Sequence, residues 1–152
     1  MTEAGLVNVS VSQRYAAAPE RVFDAFLDVA IARRFLFATA TGEMVLAELD
    51  PRVGGRYRFV ERRPDMGDVE HAGEYLEIDR PRRLAFSFGV PTFDPRLTVV
   101  AVELRPDGDG CALTLTNQDV PAAFADGNRD GWTRILAGLL PAYEGVQAAG
   151  WR

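Results

Sequence analysis

Residues 131–143 read GWTRILAGLLPAY. Trp132, Ile135, Leu136, Leu139, Leu140 and Tyr143 fall on one wide apolar stripe at helical period. No other helical segment is as long or as apolar, and nearly everything between Leu6 and Gln118 reads as strand. A single long helix closing so much strand predicts an α+β body, a curved sheet wrapped around one C-terminal helix. Pro141 lies inside the stripe and cannot donate to the carbonyl of Ala137, so a kink or a break is expected there.

Moving outward, Asn128 is a plausible cap for this helix, and Pro121 to Gly127 reads as a loop or a single turn. Leu97 to Arg105 and Cys111 to Gln118 form the clearest hairpin, joined by Pro106-Asp107-Gly108-Asp109-Gly110. Pro91 to Pro95 is a loop, and Leu84, Phe86 and Phe88 line one side of the strand before it. Val69 to Asp79, Arg56 to Glu61 and Met44 to Leu49 read as strands, the first two separated by a turn-rich loop from Arg62 to Asp68. Asp50 to Gly55 is a turn or bulge. At the other end, Val7, Val9 and Val11 alternate with Asn8, Ser10 and Ser12 in a half-buried strand from Leu6 to Tyr15. Two brief helices follow, one from Ala18 to Leu27 with Pro19 at its start, the other from Ile31 to Leu36.

The chain has 152 residues, 47% hydrophobic and 26% charged, which suits one soluble domain with its own core. A formal charge of −5 argues against a nucleic-acid partner. All 17 cations are arginine, so Schiff-base chemistry and a P-loop lysine are excluded. The start lacks a basic, then apolar, leader, and no run is long enough to span a bilayer, so no membrane insertion is expected. A lone cysteine, Cys111, agrees with a reducing compartment, and the expected location is the cytoplasm.

Strand, two short helices, six strands and one long helix is the helix-grip order. The stretches APERVFDAF (18–26), DPRVGGRYRF (50–59), GEYLEIDRPRRLAF (73–86) and LTLT (113–116), with Gly131-Trp132, make the likeness closer. Together they resemble the activator of heat-shock-protein-90 ATPase homologue, C-terminal-like domain (AHSA-type), of the SRPBCC or START-like superfamily. The resemblance covers almost the whole chain, and residues 1–152 are expected to form a single domain of the bacterial, standalone type. It implies a seven-stranded antiparallel sheet on the C-terminal helix, as in the birch-pollen allergen, with a cavity between them. It also offers two other roles, a polyketide cyclase or dehydratase and a partner of a heat-shock ATPase. The eukaryotic co-chaperone uses a further N-terminal domain that 152 residues do not accommodate, so a chaperone partner is not expected. Asn117 and Asn128 stand where many relatives would show histidine, and no histidine-based role carries over to them.

The cavity is the strongest candidate for function, with a small hydrophobic or aromatic molecule as its guest. Alternation turns Tyr57, Phe59, Phe86, Phe88 and Val100 toward the helix, Tyr75 offers a polar handle, Trp132, Leu136 and Leu139 face them, and Phe35 closes one end. The competing expectation is that the same side chains interlock and leave no void. His71, the one histidine, could serve a cyclase as general base, although a single histidine on a strand reads first as structural. No catalytic residue is therefore assigned. Glu61, Glu74 and Glu77 have no acid–base spacing and read as solvated, as do the doublets Arg33-Arg34, Arg62-Arg63 and Arg82-Arg83. One histidine and one cysteine are too few for zinc, and Asp107 to Gly110 is a hairpin turn rather than a calcium loop, so no metal or cofactor is expected. Trp151 could dock the tail on its own body or on a second copy, which keeps a homodimer among the expectations.

Overall fold

Strand periodicity over most of the chain is realised as one sheet. The computed structural model describes residues 5–143; Trp151 lies outside them. The strands are β1 (Leu6–Tyr15), β2 (Glu43–Leu49), β3 (Arg56–Arg63), β4 (Gly67–Asp79), β5 (Arg83–Val90), β6 (Asp94–Asp107) and β7 (Gly110–Pro121). They run in the order β1-β7-β6-β5-β4-β3-β2, each pair antiparallel, so β2 to β7 form a meander and β1 returns to the far edge. Four ladders slip register, at Met44/Leu46, Tyr75/Glu77, Phe88/Val90 and Val7/Val9. Such irregularities bend strands and sharpen their twist, which is how a long sheet curls around a helix. The slip at Val7 has a local consequence: Val7 is exposed, while Val9 is fully buried.

The hairpin between β6 and β7 is tighter than the sequence predicts. Asp107 pairs with Gly110, so only Gly108 and Asp109 turn, and Gly108 has φ 61. A positive φ at the first of two turn residues is what a type II′ turn requires, and its twist suits the flanking strands.

Between β1 and β2 lie α1 (Pro19–Ala25) and α2 (Val29–Phe35). Pro19 opens α1, and α1 buries Val22, Phe23 and Ala25. Asp28 caps α2 by accepting from the Ala30 N–H at 3.0 Å. After β7, a 3-10 turn (Ala122–Phe124) leads into α3 (Ala125–Ala137), which buries Trp132 and Leu136. Asn128 is thus not a cap. The helix begins three residues earlier, through a polar Ala-Asp-Gly that carries no apolar period to announce it, and the Asn128 amide is engaged elsewhere. Of the kink or break expected at Pro141, the structure has a break, placed just before it: the helix stops at Gly138, Leu139 is buried, and α4 (Leu140–Tyr143) follows. Pro141 then stands in the first turn of α4, where its missing N–H leaves no bond unmade.

The core lies between the concave face of the sheet and α3, with α1 and α2 closing one side. Tyr15, at the end of β1, donates from its hydroxyl to the Leu136 carbonyl at 2.7 Å inside this core. That bond fixes the last turn of α3 against the sheet edge.

Candidate functional site

The site begins with a turn. Leu36 follows α2 with φ −72 and ψ 121. Phe37 then takes φ 62, and the Ala38 N–H donates to the Phe35 carbonyl at 3.3 Å. This is the pattern of a type II turn, whose third residue needs positive φ and is ordinarily glycine or asparagine. A bulky residue there costs roughly 1–2 kcal/mol.

The Phe37 ring supplies the compensation. It is 2% exposed and five other rings surround it. Three lie nearly parallel to it: His71 at 4.7 Å and 10°, Phe88 at 5.4 Å and 7°, and Tyr57 at 5.9 Å and 13°. Two meet it edge-on: Phe59 at 5.5 Å and Trp132 at 6.0 Å. At about 0.5–1.5 kcal/mol per aromatic pair, five pairs outweigh the backbone strain.

The residues after Phe37 are tied down by Glu61. Its Oε2 accepts from the Thr39 N–H (2.6 Å) and hydroxyl (2.8 Å), and its Oε1 accepts from Arg63 Nε at 2.7 Å. Gly42 donates to the Thr39 hydroxyl at 3.2 Å, and a Cβ on Gly42 would collide with the Glu61 carboxylate. Burial pushes the Glu61 carboxyl up, but the bonds from Arg63 and Thr39 outweigh it and hold the pKa below the ordinary value. The solvated reading of Glu61 is therefore corrected: it is 1% exposed, because the arginine two residues along and the Thr39 loop fold over it.

Asn117 is a second anchor, 1% exposed on β7. Its Nδ2 donates to Thr98 Oγ1 (2.9 Å) and to the Val99 carbonyl (3.2 Å). Its Oδ1 accepts from Trp132 Nε1 (3.2 Å) and from Asn128 Nδ2 (3.0 Å). The indole N–H can only donate, which fixes which Asn117 atom is oxygen and then which Asn128 atom is nitrogen. Asn128 Oδ1 is left buried without a partner.

His71 Nδ1 is buried without a partner too. Burial lowers the imidazole pKa to about 4, with the Arg63 charge acting the same way, so the ring is neutral at pH 7. The Phe59 backbone pulls the pKa the other way, but burial and Arg63 outweigh it.

Several spaces adjoin these residues. The void inside the sheet, beside the Leu36–Phe37 turn, amounts to about 10 Å³ and is lined by Leu36, Phe37, Tyr57, Tyr75, Leu84 and Phe86 among others, with no residue of α3 on its walls. That is room for one water at most. Phe37 is the reason, because its ring fills the interior that strand alternation leaves open. Outside it lies a cleft of about 480 Å³ between the Phe37–Ala40 turn and α3, with His71, Phe88, Asn128 and Trp132 on its walls. A neighbouring cleft of about 690 Å³ shares Phe88, Val90 and Asn128 and reaches the exposed Phe93 and Phe124. A further depression of about 600 Å³ is lined by charged groups such as Arg58 and Glu70, which pair with each other at 2.6 Å.

The residues expected to bind a guest are thus divided. Phe88 and Trp132 line the outer cleft, whereas Tyr57, Tyr75 and Phe86 line the small inner void. Tyr57 spends its hydroxyl on the Ser87 carbonyl at 2.7 Å. Phe59, Val100, Leu136, Leu139 and Phe35 are buried and line neither space, with Phe35 edge-on to Phe26 at 5.3 Å. Phe37, Thr39, Glu61 and the Asn117–Asn128 pair escape sequence reasoning. The signal for Phe37 is faint, an aromatic residue next to a helix end in Phe-Leu-Phe-Ala. Cys111 is fully buried, and its thiol pKa is pushed up, chiefly by burial. Among the described residues no group of three or more His, Cys, Asp or Glu is placed to hold a metal ion, and no helix is long and apolar enough to cross a membrane.

The family model described as Activator of Hsp90 ATPase homolog 1-like protein matches residues 16–143. No curated protein resembles the chain closely enough to count as a match. Among solved structures, protein CV1439 from Chromobacterium violaceum is similar with a TM-score of 0.76 and 24% identity, over 90% of this chain and 96% of that one. CalU16 from Micromonospora echinospora is similar with a TM-score of 0.68 and 23% identity, over 88% and 74%. PFC0360w from Plasmodium falciparum, described as an HSP90 activator, has a TM-score of 0.68 and 22% identity, over 87% and 92%. At these identities the likeness is one of fold.

Proposed function

The chain belongs to the Activator of Hsp90 ATPase homolog 1-like family, and on that footing we propose that it is a soluble cytoplasmic protein that binds a small aromatic molecule at the mouth between the sheet and α3. One observation supports the reading: an aromatic cleft of about 480 Å³ whose walls include two residues with buried, unpartnered polar atoms, His71 Nδ1 and Asn128 Oδ1, both read as acceptors. Buried polar atoms ordinarily have partners, and an unmatched pair beside a cleft is served by a water or by a donor group of a guest.

Energetics favour a ring that carries such a donor. Burying about 150 Å² of ring surface at ~25 cal/mol per Å² supplies roughly 4 kcal/mol. That alone corresponds to about millimolar affinity, before the cost of association is subtracted. Hydrogen bonds to the two acceptors are where further affinity and orientation come from. His71, neutral and a weak base in this setting, acts as an acceptor rather than as a group that removes protons.

Native mass spectrometry of freshly purified protein tests the reading. An additional mass of one small molecule, released on mild activation and recovered as an aromatic compound with a hydroxyl or N–H group, is the expected result. A bare chain in repeated preparations, with no heat on titration with phenols or indoles, would remove it. The second reading, a partner of a heat-shock ATPase, draws on the HSP90 activator among the structural neighbours. A chaperone retained from cell extract by a protein free of small molecules would favour it.

A further inference from the structure

We propose that Phe37 is a plug made from the chain itself, whose ring holds the place of a flat aromatic guest and swings out to admit one. The proposal rests on the ring-binding reading above and names the guest's shape. Its first support is a mismatch of residue and backbone. Phe37 has φ 62 in a turn position that favours glycine, so what the position gains from phenylalanine is the ring.

The second support is the cage. Three neighbouring rings lie within 13° of the Phe37 plane, and two more close its edges. Parallel walls of this kind accept a planar guest and exclude a puckered one. The third is position: Phe37 belongs to the wall of the inner void and to the wall of the outer cleft. One side chain separates the two spaces, and its departure joins them.

A hinge for the movement is present. Phe35 is buried before the turn, and Thr39 is held to Glu61 after it, so the two ends stay fixed. Rotating the peptide between Leu36 and Phe37 turns a type II turn into type I and takes Phe37 to negative φ, which relieves the backbone, and a change of χ1 rotamer carries the ring outward. The hydrogen bond from Ala38 to Phe35 is compatible with both turn types, so the cost of the swing lies in the ring contacts of Phe37.

The test compares wild type with Phe37→Gly, a variant that suits the backbone while removing the ring. Calorimetric titrations with toluene and with methylcyclohexane, equal in carbon count and different in planarity, give the readout. Toluene is expected to bind Phe37→Gly at least tenfold more tightly than wild type, and severalfold more tightly than methylcyclohexane binds the same variant. Equal toluene affinity in the two proteins, methylcyclohexane bound as well as toluene, or a folded variant that takes neither would overturn the proposal. Should Phe37→Gly fail to fold, fluorine NMR of wild type carrying 4-fluorophenylalanine decides, with the Phe37 resonance assigned through Phe37→Leu. Movement of that resonance toward its solvent-exposed position as toluene is added supports the plug, and a fixed resonance at the highest toluene concentration the fold survives refutes it. Failure of the underlying reading looks different: a Phe37→Gly variant that takes up toluene beside a wild-type protein that carries no guest from the cell.

Discussion

Trp132 and Asn117 are joined by a hydrogen bond of 3.2 Å from the indole N–H to the amide oxygen, across the junction of α3 and β7. The same oxygen holds Asn128, and the same amide nitrogen holds Thr98 and the Val99 carbonyl. One buried side chain therefore sets the helix, the strand beside it and one of the two free acceptors of the cleft.

Replacing Asn117 by leucine keeps approximate volume and removes every one of these bonds. Each buried polar group left unmatched costs about 1–3 kcal/mol. The expected result is a fall in denaturation midpoint equivalent to at least about 2 kcal/mol, with a shift in Trp132 emission. An unchanged midpoint would mean that solvent or a neighbour replaces the network at no cost.

His71 makes stability depend on pH in a defined direction. Its folded pKa is lowered to about 4 from 6.5, first by burial and then by Arg63, while Glu61 and Glu70 pull it back. Between those values the unfolded chain binds the proton and the folded one does not, so stability falls as pH drops from about 7 toward 4 and levels off below. Between pH 7 and pH 5 the loss is roughly 2 kcal/mol. Denaturation curves of wild type and His71→Leu should converge or cross as the pH is lowered through that window. Parallel curves would show that His71 titrates normally.

The strands and the closing helix are legible in the sequence because each rests on a period, while the seven-stranded antiparallel sheet follows from the family resemblance. Val9, Phe86 and Val100 alternate, and Trp132 and Leu136 lie one turn apart. The site is much less legible, because its central residue obeys no period. Phe37 lies in a four-residue turn whose local chemistry calls for glycine, and only the tertiary ring cage explains it. Glu61 misleads for a related reason. A carboxylate on a strand with arginines nearby looks solvated, and its burial depends on Thr39 and Gly42 arriving from a loop 22 and 19 positions away in the chain. Asn128 misleads at short range, since a polar residue just before an apolar stripe resembles a cap until its partner on β7 is known.

Glu61→Gln separates the charge from the loop contacts. Glutamine retains an oxygen for the Thr39 N–H but loses the ion pair with Arg63, whose side chain is 20% exposed and can turn to water. The expected cost is about 1–3 kcal/mol, below the figure for a fully buried pair. The folded Glu61 pKa is lowered, so its contribution is present above the unfolded carboxyl pKa and disappears as pH falls through the folded one. The variant should therefore lose a share of wild-type acid sensitivity below about pH 4.5. Identical acid limbs in urea denaturation at stepped pH would refute this.

Tyr15→Phe provides the contrast that separates stability from binding. The Tyr15 hydroxyl meets the Leu136 carbonyl at 2.7 Å, and the Leu139 N–H reaches the same carbonyl at 3.3 Å, so the variant leaves that acceptor weakly satisfied rather than bare. The ring stays and no cavity opens, which limits the cost to about 1 kcal/mol. Tyr15 takes no part in the Phe37 ring cage and does not line the outer cleft. Uptake of an aromatic guest should then be unchanged in Tyr15→Phe and weakened in Asn117→Leu, because only the second substitution frees the Trp132 ring that forms the helix side of the mouth. Measured together by denaturation and calorimetric titration, the two variants should differ in binding by far more than in stability. Binding losses that merely track stability in both would reduce Trp132 and its neighbours to ordinary core.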